Sequence, residues 1–292
     1  MATLSNLINA LRPSKAPNLP NAPREGYSAG YFDQYSNVLR LYFNQIDNFL
    51  SGLLTGTGGA AIKFPYAQMH YDEEVILGSA LTTTSTTPIT VTSTANYTAP
   101  GVILIGTELI KYTTILNSTT FDGTITRGAY GTTKAAHAIG AAVTSGQGTT
   151  AGTRTAAIFN KIDYDNGITL TPPSSIFTCT IPGIYNIQFS SQFSNSDTSA
   201  DNVTMWYVVN GADIPASSGI VAVPGSHGGF SGQTIVGWNG LQELNVGDTF
   251  ELYWITNSGN SVMTTYPAGV IAGVHPTSPA VIISFQFVSA LY

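Results

Sequence analysis

Apolar and polar side chains alternate along much of the C-terminal half of the chain. The run Pro182-Gly183-Ile184-Tyr185-Asn186-Ile187-Gln188-Phe189, continued through Ser191 and Phe193, sets the pattern. A period of two puts alternate side chains on one face, which predicts strands with one face in a core. The pattern returns at 203–209, 233–238, 249–255 and 281–288. Between these runs lie Asn210-Gly211, residues 225–232, Gly247-Asp248 and Ser258-Gly259-Asn260, all turn-forming chemistry. Short strands broken by glycine-rich turns, with no helical stretch among them, predict an antiparallel sandwich or barrel.

A helical period occurs at 27–55. Phe32, Tyr35, Leu39, Tyr42, Ile46, Phe49 and Leu53 are spaced 3, 4, 3, 4, 3, 4, a heptad seam widened by Val38, Phe43 and Leu50. Gly52, Gly56, Gly58 and Gly59 close it. Two readings stand side by side: a parallel trimeric stalk, or an amphipathic anchor packed on its own chain or on a neighbouring protein. Ahead of it, Leu4, Leu7, Ile8 and Leu11 follow helical spacing, and Pro13, Pro17, Pro20 and Pro23 impose an extended arm. The middle of the chain predicts a second small β unit. Its Thr-rich stretch 81–97 is followed by strands at 102–105, 108–112 and 119–121, with Ile125 beyond. Residues 146–152 (Gly, Gln, Gly, Thr, Thr, Ala, Gly) read as a flexible linker. The expected division is therefore 1–60 arm and helix, 61–147 small all-β module, 148–292 β head.

Two resemblances rest on these residues. Pro182-Gly183-Ile184-Tyr185, Trp206 to Asn210-Gly211, Leu244-Asn245-Val246-Gly247-Asp248 and Ile283-Ser284-Phe285-Gln286-Phe287 occur in the order and spacing of the C1q/TNF-like jelly roll, which the region 160–292 resembles. That resemblance implies a homotrimer about the domain's own threefold axis. In the middle unit, residues 101–112, Thr126-Arg127-Gly128, Tyr130-Gly131-Thr132-Thr133 and Ala136-His137-Ala138 resemble a module of bacteriophage tail and fibre proteins, especially of phages of marine cyanobacteria. It implies a virion protein assembled in the host cytoplasm.

Composition narrows the classes. Charged residues are 9% of the chain, against about 25% in ordinary globular proteins. Hydroxyl and amide side chains replace them, a surface suited to permanent assembly. The net charge is −6 with no basic run, which argues against nucleic-acid binding. The single Cys179 lies in an apolar alternating stretch and reads as a small core residue. Met1-Ala2-Thr3-Leu4 lacks the basic segment of a secretory leader, and no apolar run nears the roughly 20 residues of a membrane helix.

Candidate chemistry is sparse. Arg127 and His137 form the best polar pair of the middle module. With Glu108 or Asp122 the imidazole could act as a general base; otherwise the pair braces an irregular loop. Asp163, Asp165 and Asn166 alternate like calcium ligands but lack a closing Glu, and read as a surface turn. Asp197, Asp201 and Asn202 lie in a polar loop between strands, and because some C1q-like domains hold calcium near the trimer apex, the resemblance makes them a candidate for that ion. Asp72-Glu73-Glu74 reads as a solvated turn. No hydrolase, phosphate-loop or dinucleotide motif is present, so no enzyme activity, cofactor or metal is expected. Trp206, Trp238 and Trp254 are expected in the core or trimer seam. Loops 220–232 and 257–275, with His227, Tyr266 and His275, are the candidates for recognising a host-surface glycan. The sequence therefore predicts a homotrimeric virion fibre or knob, held to other virion proteins by its arm and helix. Capsid or tail decoration without a receptor role is the alternative.

Overall fold

Alternation makes strands here because each face meets a different environment. β13 (Gly183–Asn195) is the longest, and Tyr185, Ile187, Phe189, Ser191 and Phe193 all turn inward. The computed structural model describes residues 18–19, 26, 29–54, 64–86, 88–269 and 275–291, without the side chains of 49–54. The chain divides into two units, Met1–Phe64 and Pro65–Tyr292. Among the described residues the protein is mainly β, with one N-terminal helix and antiparallel sheets.

In the first unit, helix α1 (Ala29–Leu54) spans the predicted heptads. At 1.5 Å per residue its 26 residues extend about 39 Å. Tyr35, Leu39, Tyr42 and Ile46 are half-exposed, and Phe32, Leu41 and Phe43 are more exposed still. The Phe49 and Leu53 side chains, the arm's leucines and prolines and Gly56–Gly59 lie outside the described residues.

The second unit is built on two facing sheets. In the first, β10 (Lys161–Asn166), β1 (Tyr66–Tyr71), β21 (Val281–Ser289) and β13 lie side by side, with β17 (Gly232–Val236) and β18 (Asn239–Leu244) on β13's far edge. In the second, β11 (Ile168–Thr169), β12 (Phe177–Cys179), β19 (Thr249–Thr256) and β14 (Asp201–Val209) follow one another, with β15 (Ala212–Asp213) and β16 (Gly219–Val223) on β14 and β9 (Thr155–Ala156) on β19. Met69, Tyr185, Phe189 and Phe285 from one sheet meet Phe177, Val203, Phe250 and Trp254 from the other. Ring contacts run across the layer: Phe159–Phe177 at 4.9 Å, Phe177–Phe285 at 5.1 Å, Phe285–Phe250 at 5.4 Å and Phe250–Tyr207 at 5.2 Å. Cys179 is buried in this core, as its neighbours implied.

The turns that carried the resemblance have local reasons. Asn210 and Gly211 both take positive φ (52° and 75°), the geometry of a two-residue hairpin turn whose twist matches its strands. The Asn210 amide donates to Asp248 Oδ1 at 2.8 Å and its oxygen accepts from the Thr249 N–H at 2.9 Å, so the two turns brace one another. A Cβ on Gly183 would collide with the Phe287 ring.

The sandwich does not begin at residue 148. β1, from the stretch assigned to the small module at 61–147, is paired on both sides, with β10 and with β21. Residues 72–154 are thus an excursion between β1 and β9. They hold their own core of Leu77, Ile89, Ile103, Ile110, Tyr112, Phe121 and others. They also prolong the first sheet: β20 (Ser261–Thr264) joins β13 to β8 (Ala142–Gly148), which pairs with β4 (Gly101–Ile105), and β4 pairs with β5 (Glu108–Tyr112). The expected linker at 146–152 is therefore corrected. Its first three residues finish strand β8, and glycine is there for close approach: a Cβ on Gly148 would overlap the Tyr130 hydroxyl. The expected turn at Asp163–Asn166 is likewise strand β10, which ends at Gly167 with φ 92°.

Candidate functional site

The outward face of the first sheet is the broadest candidate surface. Register sets its residues in rows across five strands. One row reads Asn166, Tyr66, Gln286, Asn186, Leu241; the next reads Tyr164, Gln68, Ser284, Gln188, Asn239. Every member of both rows is uncharged. Tyr66 and Tyr164 meet edge to face at 5.9 Å, and the Asn239 amide donates to Asn186 at 3.0 Å. Tyr164 is 58% exposed, Leu241 66% and Val288 53%. Large apolar groups thus stand in water on an amide-rich sheet face.

Charge gathers at one end of this face. His70 Nδ1 lies 3.0 Å from Asp163 Oδ2, and its Nε2 lies 3.4 Å from Asp72 Oδ1. The bond to Asp72, with help from Asp163 and against partial burial, raises the His70 pKa and lowers that of Asp72. Lys161 meets Glu73 at 3.0 Å. The acidic cluster after Tyr71 is thus partnered, a difference from the solvated turn expected there.

The three loop residues read as contact candidates occupy two places. Tyr266 and His275 stand on opposite arms of one loop, tied by Tyr266 N–H to Ser278 O and Gly269 N–H to His275 O, both 3.0 Å. The Tyr266 hydroxyl accepts from Gln233 Nε2 at 2.9 Å, on the rim of a cleft of about 270 Å³ lined by Gln192, Gln233, Thr234, Ile235 and Tyr266. His227 lies on a separate turn closed by mutual backbone bonds with Phe230, whose ring is 80% exposed.

In the excursion, Arg127 and His137 do converge, and on Glu108. The fully buried carboxylate accepts from Arg127 Nε (2.7 Å) and NH2 (2.8 Å), from the N–H groups of Gly128 (2.9 Å) and Ala135 (3.0 Å), and from His137 Nε2 (2.8 Å). Arg127 also donates to the carbonyls of Thr82 (2.9 Å) and Ala135 (2.6 Å). Burial alone would push the Glu108 carboxyl up, but the Arg127, Ala135, His137 and Gly128 bonds overcome it and hold it at about 2. Five donors saturate this carboxylate, so it ties loop 81–85 to loop 127–137. Asp122 takes no part in the knot.

Asp201, read as a calcium candidate, is similarly spent. Its oxygens accept from the backbone N–H groups of Ser258 (3.0 Å), Asn260 (3.2 Å) and Ser261 (3.0 Å). Among the described residues, no three His, Cys, Asp or Glu side chains are grouped to hold a metal ion.

The tryptophans separate. Trp254 is fully buried and Trp238 packs edge-on against Phe189 at 4.6 Å. Trp206 lies outside the core: it stands on the outer face of the second sheet beside Tyr253. The sequence could have flagged this position, since Met205 and Tyr207 flank it and both turn inward. No protein-family model matches the chain, and no curated protein matches it.

Proposed function

We propose that this chain is a structural protein of a tailed-phage virion: a homotrimeric fibre or knob, anchored by its N-terminal arm and helix, whose C1q/TNF-like jelly-roll head attaches to a host-surface glycan. The observation that carries the trimer is the pair of uncharged rows across five strands, with Tyr66, Tyr164, Leu241 and Val288 in solvent. The strand path supports the jelly-roll reading. From β12 onward the chain alternates between sheets, β13 in the first, β14 and β16 in the second, β17 and β18 in the first, β19 in the second and β21 in the first. The chain enters this unit at Tyr66, one end of β1, and the excursion departs from the other end, beyond Tyr71.

Obligate interfaces bury on the order of 2,000 Å² or more, which three such faces can supply. Sedimentation at micromolar concentration tests the assembly: the expected mass is three times 30.7 kDa, and a monomer overturns the trimer. Locating the chain in purified particles by imaging tests the virion role. Particles lacking the head should adsorb poorly to host cells. Unchanged adsorption would favour a decoration protein with no receptor role.

A further inference from the structure

An aromatic floor stands on the outer face of the second sheet. Trp206 on β14 and Tyr253 on β19 are direct cross-strand partners, with Met205, Tyr207, Leu252 and Trp254 turned into the core beneath them. Their centroids lie 5.9 Å apart and their planes differ by 33°, so the two rings form one nearly continuous surface. The Arg154 guanidinium lies 4.3 Å from the Tyr253 centroid but 5.7 Å from that of Trp206, covering the tyrosine and flanking the indole. Asp213 accepts from Trp206 Nε1 at 2.7 Å and takes Arg154 through contacts of 2.8 and 3.1 Å.

Stability does not account for this group. The Arg154 and Asp213 side chains are 41% and 55% exposed, and ion pairs in that setting contribute roughly 0–1 kcal/mol. Charge is also scarce here: Arg154 and Lys161 are the only Lys or Arg from residue 135 to the end of the chain. One of the two lies over half-buried outward-facing rings. Asp213 engages two of the guanidinium's N–H groups, out of five such donors on an arginine. The remaining donors and the carboxylate's spare lone pairs border the indole. An aromatic face with a donor and an acceptor at its edge matches a pyranose, whose C–H face is apolar and whose rim is hydroxylated. An anionic sugar drawn to Arg154 would meet Asp213 beside it, so the fit is to an uncharged unit.

We propose that Trp206, Tyr253, Arg154 and Asp213 form a binding subsite for an uncharged hexose or N-acetylhexosamine unit of a surface glycan. The sugar ring stacks on Trp206, a hydroxyl accepts from Arg154 and a neighbouring hydroxyl donates to Asp213. This assignment rests on the attachment reading above and gives it a location. The site is on the opposite side of the sandwich from the proposed trimer face, so each subunit of a trimer presents one.

The test is an array of neutral hexose and N-acetylhexosamine oligosaccharides beside uronate- and sialate-bearing ones, probed with the full chain. Wild type should bind neutral members. Trp206→Ala should lower affinity at least about tenfold, Asp213→Asn should weaken it, and Trp206→Phe should retain part of it. Mass in solution and unfolding midpoint should not move in the Asp213→Asn and Trp206→Phe proteins. Neutral-glycan binding unchanged in all three variants overturns the site while the attachment reading survives. Binding confined to acidic members overturns the sugar class. A trimer found in particles that binds no array member overturns the subsite and leaves a purely structural role.

Discussion

Replacing Glu108 by Gln is the sharpest test of how the excursion holds its shape. The change keeps the volume but removes the charge and turns an NH2 group toward donors. Arg127, only 2% exposed at its side chain, then keeps its charge with no anion beside it. Removing one partner of a buried pair typically costs about 3–5 kcal/mol. The acid side gives a second measure. Glu108 is held at about 2 against an ordinary 4.5, which corresponds to about 3 kcal/mol. Because the folded-state pKa is depressed, that stability is present above pH 4.5 and is lost as pH falls from 4.5 toward 2. Urea unfolding of wild type and Glu108→Gln from pH 7 to pH 2.5 should show a gap of about 3 kcal/mol that narrows on acidification. Hydrogen exchange at the Gly128 and Ala135 amides should accelerate in the variant even if the sandwich stays folded. A variant within 1 kcal/mol of wild type at pH 7, with both amides still protected, would refute the view that this carboxylate holds the two loops together.

Three further outcomes follow from the geometry. Gln286→Glu places a charge on the central strand of the two uncharged rows and should convert a trimer to monomer by sedimentation without lowering monomer helicity or strand content by circular dichroism; a persisting trimer would move the interface elsewhere. His70 has a raised pKa, so its contribution is full below about pH 6.5 and fades as pH rises through the folded value. The stability difference between wild type and His70→Gln should therefore be larger at pH 6 than at pH 9, and equal differences would refute the role of Asp72 and Asp163. Gly148→Ala should cost roughly 1–3 kcal/mol by thermal unfolding, because the new methyl meets the Tyr130 hydroxyl. Part of that loss should return in a Tyr130→Phe background.

The strands of the sandwich were legible because each has one wet and one buried face, and period two survives any tertiary context that keeps that asymmetry. Asn210-Gly211 and Gly247-Asp248 were legible for a different reason: positive φ narrows the choice of residue at a turn, so the turn is written locally. The heptad spacing likewise located α1 to within two residues at its start. Where glycine served packing, local reading failed. Residues 146–148 look like a flexible joint until Tyr130, eighteen residues earlier than Gly148, is brought against them.

The site residues follow the same division. The sequence paired Arg127 with His137 but left Glu108 and Asp122 as alternatives, since only the β4–β5 hairpin puts Glu108 beneath both. It did not connect Arg154, Trp206, Asp213 and Tyr253, which are brought together by strand register across β9, β14, β15 and β19. By itself the sequence determined most strands of the C-terminal sandwich, where its tight turns fall and how little charge the surface carries, because those depend on backbone preference and on contact with water. The tertiary structure alone decided that β1 belongs to the sandwich and that 72–154 is an excursion from it. It also decided which polar side chains meet, because pairing between distant strands is fixed by the shared core and not by any neighbour in sequence.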